Sequence, residues 1–337
     1  MLDALHCLVV CQRNLRPYSL HSCAVPRAAS STAAAVSLRI SKQHKMCQTV
    51  EWKQASAQSF QNRSKTRSFL WTVVRDPADR AMSSIFFYDI SRRRPKQKYN
   101  VSNVDFIHQL TSSTDLSRGA TSLGQGGFQL RHTAMREIPP YRFWDANEPT
   151  RVRHPVALRN LVQETLMKYD FVAVAERMDE SLVALALLLG VPVTSVLVTA
   201  SRVSSEHHYH LVRLPNNKVK CLPVVPAYIN EGVQDFLNSD QWRAANWGDY
   251  VLHRAAYISL DRTIAALGEE RFTKALQEFQ MWRALEQEQC APNVQFACSH
   301  EGMAQVNAAQ QSCYAPYQDI GCGYKCIDEL MNEHVSM

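Results

Sequence analysis

The sequence has no apolar run approaching the roughly 18 residues of a membrane span, so nothing in it reads as a transmembrane helix. It also has no helix-turn-helix, RNP pattern or finger spacing, and nucleic acid therefore drops out as a partner. The GK[ST] ending of a Walker A loop is missing and no magnesium ligand can be placed, which sets aside nucleotide kinases and GTPases of that kind. His207-His208-Tyr209-His210 alternates in a way that can chelate, but a fourth ligand is absent. It reads as a polar loop, and no metal is expected. The opening MLDALHCLVVCQRNL holds only a short apolar patch without a signal-peptide layout.

What is present is a chain of 337 residues, 46% apolar, able to bury a large core. Its net charge of +6 is concentrated, most visibly in Ser91-Arg92-Arg93-Arg94-Pro95-Lys96-Gln97-Lys98. Such a run is a solvated loop or the mark of a polyanionic partner, an acidic glycan in particular. Of the ten cysteines, five fall in the tail at Cys290, Cys298, Cys313, Cys322 and Cys326. Their spacing fits no zinc finger or ribbon and reads as a disulfide-stapled cap made in an oxidising compartment. An odd number leaves one over, for a partner elsewhere such as Cys221. Asn62-Arg63-Ser64 and Asn100-Val101-Ser102 are glycosylation sequons that agree with that compartment. A membrane anchor or signal is expected upstream of this chain, which would then be its sole membrane contact.

Two segments organise the rest. In Ser68 to Phe87 the run Phe69, Leu70, Trp71, Val73, Val74 predicts a strand buried on both faces. Asp76-Pro77 stops it and starts a helix whose Ala81, Met82, Ile85 and Phe86 face a core. Arg75 at the strand's carboxyl end and Ser83 two turns into the helix suit a phosphate, with Arg75 as a bidentate fork. Upstream, Tyr18 to Val25 predicts a short strand, Pro26-Arg27-Ala28-Ala29-Ser30-Ser31-Thr32 a loop, and Ala33 to Ile40 a helix. Strand, small-residue loop and helix is the geometry in which backbone N–H groups grip a phosphate. Further on, Pro155 to Lys168 reads as a helix, Tyr169 to Ala175 as a buried strand and Leu182 to Leu189 as an apolar helix. Val193 to Thr199 is a candidate strand, and Phe236 to Leu285 is mostly helical with Gly268 as a stop. Residues 89 to 154 are polar and loop-rich, where acceptor recognition is expected.

Taken together, PRAASST and RDPADRAMS resemble the 5′-phosphosulfate loop and the 3′-phosphate segment of the sulfotransferases that use 3′-phosphoadenosine 5′-phosphosulfate (PAPS). YDFVAVAERMDESLVALALLLG is similar to the strand–turn–helix that follows them in glycan-type members. The resemblance covers about residues 18 to 190. It implies an α/β, P-loop-like three-layer fold with a mostly parallel sheet, a helical C-terminal region and the cysteine-rich tail. It divides the chain into residues 1–17, unassigned, an enzyme domain at 18–289 and a cap at 290–337. It implies that Arg27, Ala28, Ala29, Ser30, Ser31 and Thr32 hold the phosphosulfate and that Arg75 and Ser83 hold the 3′-phosphate. The implied reaction moves the sulfuryl group to a hydroxyl on a carbohydrate, with 3′,5′-ADP as product. A protein-tyrosine acceptor and a non-catalytic binding relative are the alternatives. The tail cysteines and sequons point to the Golgi lumen or secretory pathway, with the cytoplasm, to which the lack of a visible signal points, as the alternative.

Two residues depart from the usual loop: Arg27 stands where lysine is usual, and Ala29 where glycine is usual. Arginine keeps the charge but not the compact ammonium, and alanine disfavours a positive φ. Transfer also needs a base, and His44, between the two loops, is the first candidate. His108 and His132 are reserves. Glu176, at a strand's carboxyl end, reads as a helix-start acid or an arginine's partner, with a catalytic acid as the alternative.

Overall fold

The seven residues Ser68–Val74 form a strand, β3, buried at every position. A run of large and β-branched side chains has that fate when helices cover both faces of a sheet. The computed structural model describes residues 19–23, 25, 28–51, 60–90, 127–134, 154–198, 209–213, 219–223, 231–293, 298–299, 301–304 and 324–335. Around β3 stand β1 (Ser19–Cys23), β2 (Cys47–Glu51) and β4 (Phe171–Val174), in the order β2-β1-β3-β4. Every neighbouring pair is parallel, with Ser19 level with both Cys47 and Ser68, and Trp71 level with Phe171.

Parallel neighbours need crossover connections, and the helices that make them form the outer layers. α1 (Ser30–Gln43) joins β1 to β2 and packs on one face, where Trp71 donates from its ring N–H to Ser37 Oγ at 3.1 Å. Cys23 lies level with Thr72, the residue after Trp71, and so belongs to the opposite face. There its thiol meets the carbonyl of His132 in α3 (Phe128–Thr133) at 3.3 Å. That face is covered by α3, by α4 (Pro155–Lys168) and by the long α8 (Trp247–Leu267). Gly248 lets α8 lie close: a Cβ there would stand 3.2 Å from Leu130 and 3.5 Å from Leu158. α5 (Met178–Leu189) follows β4 and packs against α8 and α9 (Glu269–Gln289).

α2 (Pro77–Ser84), which runs on into a π-helical turn at Ile85–Ile90, has a core of its own. Ala81, Met82, Ile85 and Phe86, spaced as the sequence predicts, bury against Val233, Leu237, Trp242 and Ala245 of α6 (Glu231–Asn238) and α7 (Asp240–Ala245). Two expectations about the chain change. Val193–Val196 is a 3₁₀ turn rather than a strand, started by Pro192, and it packs on α1 and α5. Tyr209 and His210 open β5 (Tyr209–Arg213), which pairs antiparallel with β6 (Val219–Pro223), so these two are strand rather than loop, while His207 and His208 lie outside the described residues.

Disulfides staple the end of the chain. Cys221 pairs with Cys298, as the odd tail cysteine required, and Cys290 with Cys326. Cys313 and Cys322 lie outside the described residues. Cys326 belongs to α10 (Tyr324–Val335), whose Asp328 meets the buried Arg39 of α1 at 2.8 Å and also accepts from Gln43 at 3.1 Å. α1 is therefore held from behind by the tail.

Candidate active site

The strand order places the site. From β1 the chain goes outward to β2, then returns across β1 to β3, so its direction reverses beside β1. In parallel α/β sheets a crevice opens at that point, outside the carboxyl ends of the strands. The loop after β1 and the turn after β3 both border it.

On the β1 side, Ala28 is fully buried and its N–H closes a turn on Val25 O at 3.1 Å. Ala29 has φ 54° and ψ 30° and begins α1. Left-handed backbone costs an L-residue about 1–2 kcal/mol, so the alanine stands in the conformation its usual glycine would adopt freely. No side chain caps this end of α1, and its first turn holds no acid. The N–H groups of that turn have no intrahelical partner and, with the helix dipole, favour an anion. Thr32 lies half-buried in the same turn. Pro26, Arg27 and the side chains of Ser30 and Ser31 lie outside the described residues.

On the β3 side the helix start is closed. Asp76 accepts from the N–H groups of Ala78 at 2.8 Å and Asp79 at 3.1 Å, with Pro77 in the first turn. Arg75 precedes this cap with its side chain one-third exposed. Asp79 is its ion-pair neighbour, 3.9 Å away. Burial raises the Asp79 carboxyl, and the Arg75 guanidinium only partly offsets that rise. Ser83 is nearly buried on α2. Arg80, three residues earlier, is fully buried over the Phe128 ring at 4.0 Å and reaches Ser84, so it belongs to the scaffold rather than the crevice.

The peptide that carries Arg75 is gripped from two sides by residues the sequence does not single out or leaves open. Gln129, itself fully buried, accepts from Arg75 N–H at 2.8 Å and donates to Arg75 C=O at 2.6 Å. Glu176 accepts from Asp76 N–H at 2.7 Å through Oε1 and from His253 Nε2 at 3.1 Å through Oε2. Burial works against the Glu176 carboxylate. The bonds from His253 and Asp76 outweigh it and hold the group below its usual range. Glu176 is thus a strut for the Arg75–Asp76 turn.

The structure does not bring His44 or His132 to the crevice. His44 stands just past the carboxyl end of α1, and fourteen residues rising 1.5 Å each carry it about 20 Å from the loop. It shares a hydrogen bond with Ser195 Oγ at 3.2 Å beside the start of β2, at the opposite end of the strands from both loops. Being between the loops in sequence does not put it between them in space. His132 is buried, stacked on Phe128 and bonded to that residue's carbonyl, and burial lowers its pKa to about 4. His108 lies outside the described residues. No metal-ligating cluster occurs among the described residues.

No match is found among curated proteins. A family model described as "Sulfotransferase family" matches residues 15–220, more than half of the chain and the whole span that borders the crevice from β1 to β4. With the loop, the Arg75 turn and the parallel sheet in the arrangement described, this chain belongs to the sulfotransferase family.

Proposed function

We propose that this chain moves the sulfuryl group of PAPS to a hydroxyl of a carbohydrate, releasing 3′,5′-ADP. The observation that supports the reading is an uncapped helix start after β1 and a partly exposed arginine after β3, each suited to an anion. PAPS carries phosphate-type charge at both ends of its ribose. The first turn of α1, with Ala28, Ala29, Ser30, Ser31, Thr32 and Arg27, would hold the phosphosulfate. Arg75 and Ser83 would hold the 3′-phosphate and so separate PAPS from ATP.

In the reaction the acceptor oxygen bonds to sulfur while the bridge between sulfur and the 5′-phosphate breaks. The electron pair of that bond leaves with the phosphate, and the acceptor proton goes to a base. Backbone N–H groups fixed at the start of α1 would offset the charge that builds on the departing oxygen, the kind of stabilisation that usually dominates catalysis. His44, at the other end of α1, is not carried into this mechanism. Arg92 to Lys98 favours an anionic glycan as acceptor, and the paired cysteines favour an oxidising compartment, the Golgi lumen among them.

A second reading is carried by Arg27 and by Ala29 at φ 54°: a relative that binds nucleotide or glycan without turnover. Sulfate transfer from labelled PAPS to a panel of glycans and tyrosine peptides separates these readings. Labelled glycan supports the first, and labelled peptide would move the acceptor to protein tyrosine. Binding of 3′,5′-ADP without turnover, with turnover restored by Arg27→Lys and Ala29→Gly together, would establish the second.

A further inference from the structure

Both grips on the Arg75 turn lead back to one helix that lies beyond residues 15–220. Asp249 of α8 is fully buried, and its carboxylate accepts from the N–H groups of Gln129 at 3.0 Å and Leu130 at 2.9 Å. That fixes the start of α3, and with it the amide that brackets Arg75. His253 is one turn further along α8 and holds Glu176, which accepts from Asp76 N–H. Residues four apart lie on one helical face. The same face continues to Tyr257, whose ring meets His253 edge-on at 5.0 Å while Arg177 lies over it at 5.6 Å. α8 also touches β3, β4 and α2 directly.

We propose that α8 is the positioning element of the Arg75 turn, with Asp249 acting through Gln129 and His253 acting through Glu176, and that it sets selectivity for a 3′-phosphate. The physical reason is the direction of a guanidinium fork. A planar bidentate donor rewards a phosphate only when its backbone is fixed. Here the N–H and C=O of Arg75 and the N–H of Asp76 are all bonded to side chains anchored on α8. Neither Asp249 nor His253 needs to touch the ligand. This inference rests on the reading of Arg75 as the 3′-phosphate residue.

The test uses the full chain and two probes, 3′,5′-ADP and 5′-AMP, titrated by calorimetry. His253→Phe keeps a ring but removes the donor, Glu176→Leu removes both bonds, and Glu176→Gln restores the acceptor for Asp76 N–H. The expected result is that His253→Phe and Glu176→Leu each weaken 3′,5′-ADP about tenfold, the value of one charge-assisted hydrogen bond. Binding of 5′-AMP stays put, and Glu176→Gln recovers most of the loss. General loosening of the fold would weaken both probes together and would overturn the proposal, as would unchanged 3′,5′-ADP affinity in both variants. If the parent itself shows no preference for 3′,5′-ADP, the reading of Arg75 falls and takes this inference with it. A parent preference that the variants leave intact removes the role of α8 alone. Should Glu176→Leu fail to fold, His253→Phe, at a partly exposed position, still gives the answer.

Discussion

The two helices that begin at the crevice start in opposite ways. α1 begins at Ala29 in a left-handed conformation, with no side-chain cap and no acid in its first turn. α2 begins at Asp76, whose carboxylate already takes two of the free N–H groups, and Asp79 follows in the same turn. An open helix start offers backbone donors and a positive dipole end to an anion, whereas a capped one carries fixed negative charge at that place. A phosphate near α2, as proposed, would therefore have to be met by side chains, and Arg75, whose turn is bonded to Gln129 and Glu176, is the residue proposed to meet it. The molecule thus presents one open and one capped helix start at the crevice. Each is supported differently: α1 is pinned from behind by Arg39 and Asp328, and α2 rests on its own apolar core against Trp242.

Giving α1 the start that α2 has should abolish the contrast. Ala29→Asp would place a carboxylate at the open end. Like charges brought together cost several kcal/mol, so 3′,5′-ADP and 5′-AMP should both lose about 100-fold in affinity. Calorimetry on the folded variant checks this, and equal affinity would mean that the first turn of α1 does not meet the 5′ group.

Opening α2 is the converse change. Asp76→Ala removes a cap and should lower stability by about 1 kcal/mol, read from urea unfolding. Relieving the backbone at α1 should act in the other direction. Ala29→Gly removes the left-handed penalty but loosens the unfolded chain, for a net gain of about 0.5–1 kcal/mol. A loss of stability in the glycine variant would contradict the strained start described for α1.

The smallest effect concerns pH. Glu176 sits below its ordinary value of 4.5 in the folded protein. A carboxylate with a lowered folded pKa contributes stability that is present above the unfolded value and is lost as pH falls below it. Parent protein should therefore lose the Glu176 contribution as pH drops from about 5 toward the lowered folded pKa. Unfolding curves of Glu176→Gln should be flatter over that window. Parallel curves for parent and variant would mean that the bonds from His253 and Asp76 do not hold the carboxylate.

Local chemistry made much of this legible in the sequence. The buried β3 run, the Asp-Pro stop and the spacing of Ala81, Met82, Ile85 and Phe86 are all short-range signals, and each appears where it was expected. The positive φ at Ala29 was likewise implied by the glycine that usually stands there. Gln129, Asp249 and His253 were not legible as site residues. Their bonds join positions 54, 120 and 77 residues apart, and a lone polar residue in a loop or on a helix gives no sign of so distant a partner. His44 shows the reverse error. Sequence order puts it between the loops, but a 14-residue helix carries it to the other end of the strands. His44→Ala is accordingly expected to leave sulfate transfer intact.

The most direct test of the account is calorimetric titration of 3′,5′-ADP beside 5′-AMP on the parent and on Arg75→Ala. The parent is expected to prefer 3′,5′-ADP strongly, and Arg75→Ala to lose about 2 kcal/mol for that ligand, with 5′-AMP unchanged. Equal affinity of the parent for both ligands, or a mutant that weakens both alike, would contradict a 3′-phosphate subsite built on Arg75.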